Sequence, residues 1–143
     1  MAESPAPAEA PAKPLPTPTP VSHGFWDGTR EGCLKLQRCG DCGTIRHYPR
    51  PLCSRCLSLA VEWVDASGRG NVHSWTVAHY PYHPAFKSEV PYVLVTVDLA
   101  EGVRQMGRFA GEASLLRLGL PVTLAMEPTA NGYALPVFAP AEI

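Results

Sequence analysis

The sequence predicts a mainly β protein: a short N-terminal helix and a metal-clamped ribbon, followed by a small five-stranded barrel. Three observations carry this. Four cysteines fall in the spacing C-x2-C-x10-C-x2-C, as Cys39, Cys42, Cys53 and Cys56. Segments of period-two alternation recur from Asn71 onward, and turn signals such as Ala100-Glu101-Gly102 and Asn131-Gly132 separate them.

Residues 1–20 hold seven prolines and five alanines, with Leu15 the only large aliphatic besides Met1. No core can form from that, so residues 1–21 are expected to be an extended, semi-rigid tether of the kind that joins domains. Its position suggests a C-terminal piece of a longer polypeptide. The remainder suffices for a metal-stapled module over 22–60 and a barrel over 61–143. The first residues lack the apolar core of a signal peptide, and no apolar stretch approaches the roughly 20 residues of a membrane span, so a cytoplasmic location is expected.

Ser22 to Glu31 reads as a short helix, with Ser22 as N-cap and Gly32 as the stop. Cys33–Arg38 and Thr44–Tyr48 read as two ribbon strands around the first cysteine pair, and Pro49 and Pro51 turn the chain toward the second. Cys33 is expected to be a small apolar strand residue. Val61–Val64 is a short strand ending at Gly68-Arg69-Gly70. Asn71–His79, Tyr92–Leu99, Val103–Ala110, Val122–Glu127 and Tyr133–Ala139 are the barrel strands, with a single helical turn at Ser114–Leu118. Five strands with a small helix between the third and fourth match the order of an OB-fold; another Greek-key or SH3-like barrel is the alternative.

The cysteine spacing allows four sulfurs to sit at the corners of a tetrahedron, the arrangement of a closed structural zinc site with Zn–S distances of about 2.3 Å. A single iron could use the same four ligands, and visible absorbance separates the two. A disulfide framework would need an oxidising compartment, which nothing in the sequence implies.

Charge is informative once divided. The whole chain carries 12 Lys+Arg and 13 Asp+Glu. Between residues 30 and 56, six bases face two acids, and part of that excess balances the net −2 of a zinc tetrathiolate. From Val61 onward there are five bases against eight acids, which weighs against a nucleic-acid groove, where phosphate neutralisation dominates affinity. A nucleic-acid-binding ribbon–OB module is therefore the alternative function.

No side chains form a catalytic constellation. The four clustered cysteines are taken by metal, with no open position for a water. Glu62, Asp65, Asp98 and Glu101 read as turn or strand-end residues. His73 and His79 share the Trp75 face of one strand, and His83 lies in the aromatic, proline-rich loop from Tyr80 to Pro91. Tyr82 and Phe86 in that loop offer contact area to a partner or ligand, or simply pack on the barrel mouth. Phe25 and Trp26 give the short helix a large apolar surface, suited to a protein interface or to a cap between ribbon and barrel. Arg104 and Arg108 alternate on one strand face, where they could hold phosphate groups or be solvated.

The stretch FWDGTREGCLKLQRCGDCGTIRHYPRPLCSRC, followed by EWVDASGRGNVHSWTV, PYVLVTVDLAEGVRQMGRF and ALPVFAPA, resembles one family over about residues 22–140. It is the acyl-CoA-associated family of a rubredoxin-like zinc ribbon and an OB-fold, long catalogued as a domain of unknown function. Its members accompany thiolase-like enzymes, as small subunits or as C-terminal domains behind a MaoC-like hydratase in sterol side-chain degradation. There the domain binds a lipid-transfer-type thiolase homologue and supports retro-aldol cleavage of an acyl-CoA. The resemblance implies a non-catalytic subunit, structural Zn²⁺, a coenzyme A thioester as substrate of the complex, and a thiolase-like partner whose dimeric habit would give a heterotetramer. Phe25, Trp26, Tyr82 and Phe86 are then the expected partner contacts, and Trp75, His79, Arg104 and Arg108 the residues expected near acyl-CoA. Neither nucleic acid nor a membrane is expected as a partner.

Overall fold

The computed structural model describes residues 11–141, so the first ten residues of the expected tether lie outside the described residues. Residues 11–18 form neither helix nor strand, yet they are not free of the fold. Lys13 pairs with Glu89 at 2.8 Å and lies 5.4 Å from the centre of the Phe86 ring. The Pro16 carbonyl accepts from Asn131 Nδ2 at 3.0 Å.

Helix α1 (His23–Arg30) ends where the sequence places its stop. Gly32 at φ +73° lets its N–H reach the Thr29 carbonyl at 3.1 Å, while Cys33 N–H reaches Gly28 at 2.9 Å, a Schellman closure. The start differs from expectation. Ser22 precedes the helix, but its hydroxyl is turned back to accept from Thr19 N–H at 3.0 Å and caps no helical donor. Cys33 is consumed by the helix closure, so it sits in the helix-to-strand turn and not in a strand.

The ribbon strands are β1 (Lys35–Cys39), β2 (Ile45–Arg46) and β3 (Val61–Asp65), in the order β2-β1-β3. The last of these, grouped by the sequence reading with the barrel segment, pairs along its whole length with β1, from Lys35↔Asp65 to Cys39↔Val61. Ribbon pairing wins because β3 follows the second cysteine pair directly and returns antiparallel beside β1.

The barrel consists of β4 (Arg69–Ala78), β5 (Tyr92–Leu99), β6 (Arg104–Phe109), β7 (Pro121–Pro128) and β8 (Ala134–Pro140). It closes in the order β4-β5-β6-β8-β7, with β7 returning to β4 and a parallel pairing between β6 and β8. This is the Greek-key closure of an OB-fold. The parallel pair is short, only Arg108↔Val137 and Phe109↔Phe138, so the two strands part ahead of it. Ala113–Leu115 forms a 3₁₀ turn in place of the longer helical turn expected at Ser114–Leu118. The chain turns extended at Leu116 because Gly119 N–H is drawn to the Val72 carbonyl at 2.8 Å.

Alternation places Val95, Val97 and Leu99 of β5 inside, against Val72, Phe109, Val122 and Phe138. Phe25 of α1 and Leu34 and Leu36 of the ribbon join the same buried cluster, so ribbon and barrel share one core. Two contacts fasten the helix. A Cβ on Gly24 would lie 2.2 Å from the Trp63 ring, so glycine lets α1 rest directly on β3. Buried Thr29 accepts the Ala134 N–H through Oγ1 at 3.1 Å, tying α1 to β8, and donates to the Trp26 carbonyl at 2.6 Å. Thr29→Val keeps the shape and leaves a buried N–H unpaired. It should lower unfolding free energy by about 1–3 kcal/mol in urea titrations. An unchanged midpoint would show that Ala134 finds another acceptor.

Candidate functional site

The two cysteine pairs sit on loops of one design. In the first, Gly43 N–H bonds the Cys39 carbonyl at 3.0 Å and Cys39 N–H bonds Thr44 at 2.9 Å. In the second, Leu57 N–H bonds the Cys53 carbonyl at 3.0 Å and Cys53 N–H bonds Ser58 at 3.0 Å. Both loops aim a backbone N–H at sulfur, Cys42 onto Cys39 Sγ at 3.5 Å and Arg55 onto Cys53 Sγ at 3.4 Å. Each needs a left-handed residue just after its second cysteine: Gly43 at φ +75° and Leu57 at φ +62°. For leucine that conformation costs about 1–2 kcal/mol.

The four Sγ atoms lie within 4.8 Å of one another, with Cys39–Cys56 at 3.5 Å and Cys42–Cys53 at 3.7 Å. A zinc tetrathiolate with 2.3 Å bonds has edges of about 3.8 Å. The spacing fits a shared cation, and it is far from the roughly 2.05 Å of a disulfide. The sulfurs do not titrate alike. The Thr44 hydroxyl and N–H hold Cys42 down to about 6. The Ser58 N–H favours the Cys56 thiolate, but the Cys39 sulfur, burial and the remaining sulfurs outweigh it and push Cys56 up to about 12. A divalent cation removes this conflict by stabilising all four thiolates. The residues present fit structural Zn²⁺, which Cys39, Cys42, Cys53 and Cys56 would hold with no position left for substrate.

A second feature lies between ribbon, barrel and the segment before α1: a cleft of about 900 Å³, with mostly apolar walls. It runs over the place where β6 and β8 part. Four of the residues singled out in the sequence meet there, Phe25, Trp26, Phe86 and Arg108. Two of them are engaged within the chain. Phe25 is only 6% exposed, stacked edge-on to Trp26 with ring centres 5.0 Å apart, and so belongs to the core. Arg108 is tied to Glu89 at 2.9 Å and lies over Tyr92. Trp75, His79, Tyr82 and Arg104 are not among the cleft residues. Tyr82 stands 85% exposed against Tyr80. Arg104 bonds Asp98 at 2.9 Å, and Asp98 also takes His73 Nδ1 at 3.0 Å. The Arg104 hydrogen bond holds the Asp98 carboxyl below its usual range.

Sequence reasoning missed His47, Tyr48, Gln105 and Met106, which also border the cleft. Burial pushes His47 down to about 4, so it is neutral, and its Nε2 has no partner. Gln105 is buried with Oε1 unpartnered, its amide N–H₂ spent on the Met106 carbonyl at 2.7 Å. Alternation on β6 could have placed Gln105 inside; nothing local announces the ribbon loop that brings His47 across.

A closed four-thiolate ribbon, joined through a shared core to an OB barrel, defines a zinc-ribbon/OB protein whose metal site is structural. Residues 26–62 match the rubredoxin-like zinc ribbon domain of ChsH2, and residues 63–127 match its C-terminal OB-fold domain. The chain belongs to this ChsH2 zinc-ribbon/OB-fold family. It is 42% identical over 119 residues to a probable enoyl-CoA hydratase alpha subunit of Thermomonospora curvata, covering 82% of this chain and 37% of that protein. It is 30% identical over 107 residues to the benzoylsuccinyl-CoA thiolase subunit BbsA of Geobacter metallireducens, covering 74% of this chain and 70% of that subunit. Among solved structures, a chain of the Ltp2-ChsH2(DUF35) aldolase matches with a TM-score of 0.82 at 37% identity, over 90% of this chain and 100% of that one. No helix among the described residues is long and apolar enough to cross a membrane.

Proposed function

We propose that this chain is a non-catalytic subunit or domain that docks on a thiolase-like acyl-CoA enzyme and contributes a wall of its acyl-CoA site. The observation that carries the reading is the likeness to the ChsH2 component of an aldolase complex along that chain's full length. The relatives' names point the same way, one a hydratase subunit and one a thiolase subunit, both acting on CoA thioesters. The chemistry of the chain agrees: a metal site closed to substrate, and an apolar cleft instead of an acid–base pair.

The cleft suits the acyl part of the substrate better than the phosphates. Lys13 and Arg108 at its edge are both engaged by Glu89, whose carboxyl Lys13 and then Arg108 hold below the ordinary range. Its walls of Trp26, Phe86, Tyr92, Met106 and Leu135 offer dispersion contact to a hydrocarbon. The reaction is C–C cleavage beside a thioester, of the retro-aldol kind that the family resemblance implies for steroid side chains, and the partner supplies its chemistry. Two copies would flank a dimeric partner, and a hydratase would be fused or bound nearby.

The test is turnover of an acyl-CoA aldol substrate by the chain, the partner and the complex. Only the complex should be competent; turnover by the chain alone overturns the reading. Met106→Trp, which fills the cleft from an exposed position, should leave assembly intact and lower kcat/KM by about tenfold or more. Unchanged kinetics in that variant would remove the cleft from the proposal.

A further inference from the structure

Two residues break the composition of the N-terminal tether. Among residues 1–20, Lys13 is the one base and Leu15 the one large aliphatic besides Met1. Both end at the cleft, where Ala12, Lys13, Pro14 and Leu15 form part of the lining. Lys13 Nζ reaches Glu89 Oε2 at 2.8 Å and lies 5.4 Å from the centre of the Phe86 ring. A spacer needs neither residue.

The segment is fastened at two further places. Asn131 Nδ2 donates to the Pro16 carbonyl at 3.0 Å. Nearer the helix, Thr19 N–H donates to Ser22 Oγ at 3.0 Å and Ser22 N–H donates to Thr19 Oγ1 at 3.2 Å. That exchange accounts for the missing N-cap, because the Ser22 hydroxyl holds the tether in place of a helical donor. Between the fastenings little resists opening. Residues 11–18 belong to no helix or strand, and Pro14 and Pro16 have no N–H to give the barrel.

The segment bounds the cleft without filling it. About 900 Å³ stays open with the segment in place, and Leu15 keeps 46% of its surface exposed. An exposed ion pair and a cation–π contact make a weak latch by themselves. An apolar ligand in the cleft would cover Leu15 and add what the latch lacks. The prolines on either side of Leu15 restrict the detached backbone, which lowers the entropy cost of closing.

We propose that Ala12–Pro16 is a latched strap, which completes the cleft, grips an apolar ligand against the barrel, and releases it when Lys13 leaves Glu89. This rests on the reading of the cleft as an acyl site and adds the tether to that site. Glu89 keeps its bond to Arg108 at 2.9 Å when Lys13 departs, so opening strands no carboxylate.

The experiment uses full-length, zinc-loaded wild type, K13R, K13E, L15A and M106W with N-phenyl-1-naphthylamine, an apolar dye that brightens out of water. The dye is neutral, which separates the latch from any direct attraction of a ligand to Lys13. K13E and L15A should bind it about three- to tenfold more weakly and release it faster, and K13R should match wild type. Their thermal midpoints should stay with wild type, since Lys13 and Leu15 are exposed and outside the core. Added salt should speed release from wild type and leave K13E unmoved, a split that a merely structural role would not produce. Wild-type affinity in K13E and L15A would overturn the strap and leave the acyl-site reading intact. Tighter binding in either would make the segment a plug that ligand displaces, which also overturns the proposal. If wild type binds no dye, or M106W binds it equally well, the cleft holds no apolar ligand, and that reading falls together with this one.

Discussion

Removing zinc from the four-cysteine site is expected to unfold the ribbon and to loosen the barrel beside it. Structural zinc in comparable small modules carries about 10–16 kcal/mol of apparent binding free energy, and that energy is folding energy. The ribbon has little else to hold it. Its strand β2 is two residues long, and the loop from Pro49 to Ala60 contains no regular structure beyond turns. Leu34, Leu36 and Phe25 reach the common core, so their release uncovers one side of the barrel. Titration with a strong chelator should therefore red-shift the emission of Trp26 and Trp63, which pack against that core, while much of the β-sheet circular dichroism remains. Cys53→Ser should mimic the chelator, because Cys53 is fully buried and its sulfur is the anchor of the second loop. Metal content should fall as pH drops, since protons compete for the thiolates. A metal-free protein with unchanged fluorescence and melting would contradict the account.

The second large effect is a pH dependence carried by His47. An unperturbed histidine titrates near 6.5, whereas burial brings His47 down to about 4. Between those values the unfolded chain takes up a proton that the native state refuses. The stability associated with neutral His47 is thus fully present above about pH 6.5 and is lost as pH falls toward 4. The loss totals about 3 kcal/mol and then levels off. His47→Gln cannot take up that proton. Urea unfolding at saturating zinc should show a steeper decline from pH 7 to 4 in wild type than in His47→Gln, and the difference isolates His47 from the acid sensitivity of the thiolates. Parallel pH profiles would mean that the ring reaches solvent through the cleft. An acyl chain filling that cleft should deepen the effect, since it would bury the ring further.

Much of this protein could be read before its fold was known, and each legible part has a local cause. The metal ligands are legible because two short cysteine loops specify their own geometry within four residues. The barrel strands are legible because period-two alternation survives wherever one face is buried; Tyr92–Leu99 is the clearest case, with Val95, Val97 and Leu99 inward as the pattern requires. The helix stop at Gly32 follows from a backbone angle that glycine enters freely.

What local rules could not supply was decided by contacts between distant segments. The pairing of β3 with β1 and the burial of Phe25 depend on how the ribbon folds over the barrel, and a hydrophobic helix reads the same whether it faces a core or a partner. The cleft is assembled from residues as far apart as Lys13 and Pro136, so no window of sequence contains it. Arg104 and Arg108 look like a matched pair on one strand face, yet each is neutralised by a carboxylate from elsewhere. Nothing local announces that Leu57 takes a left-handed backbone while its side chain stays exposed. Composition and spacing set the modules, because metal geometry and side-chain periodicity act over a few residues. The packing of one module on the other set the surfaces, because burial and charge pairing are properties of neighbours in space.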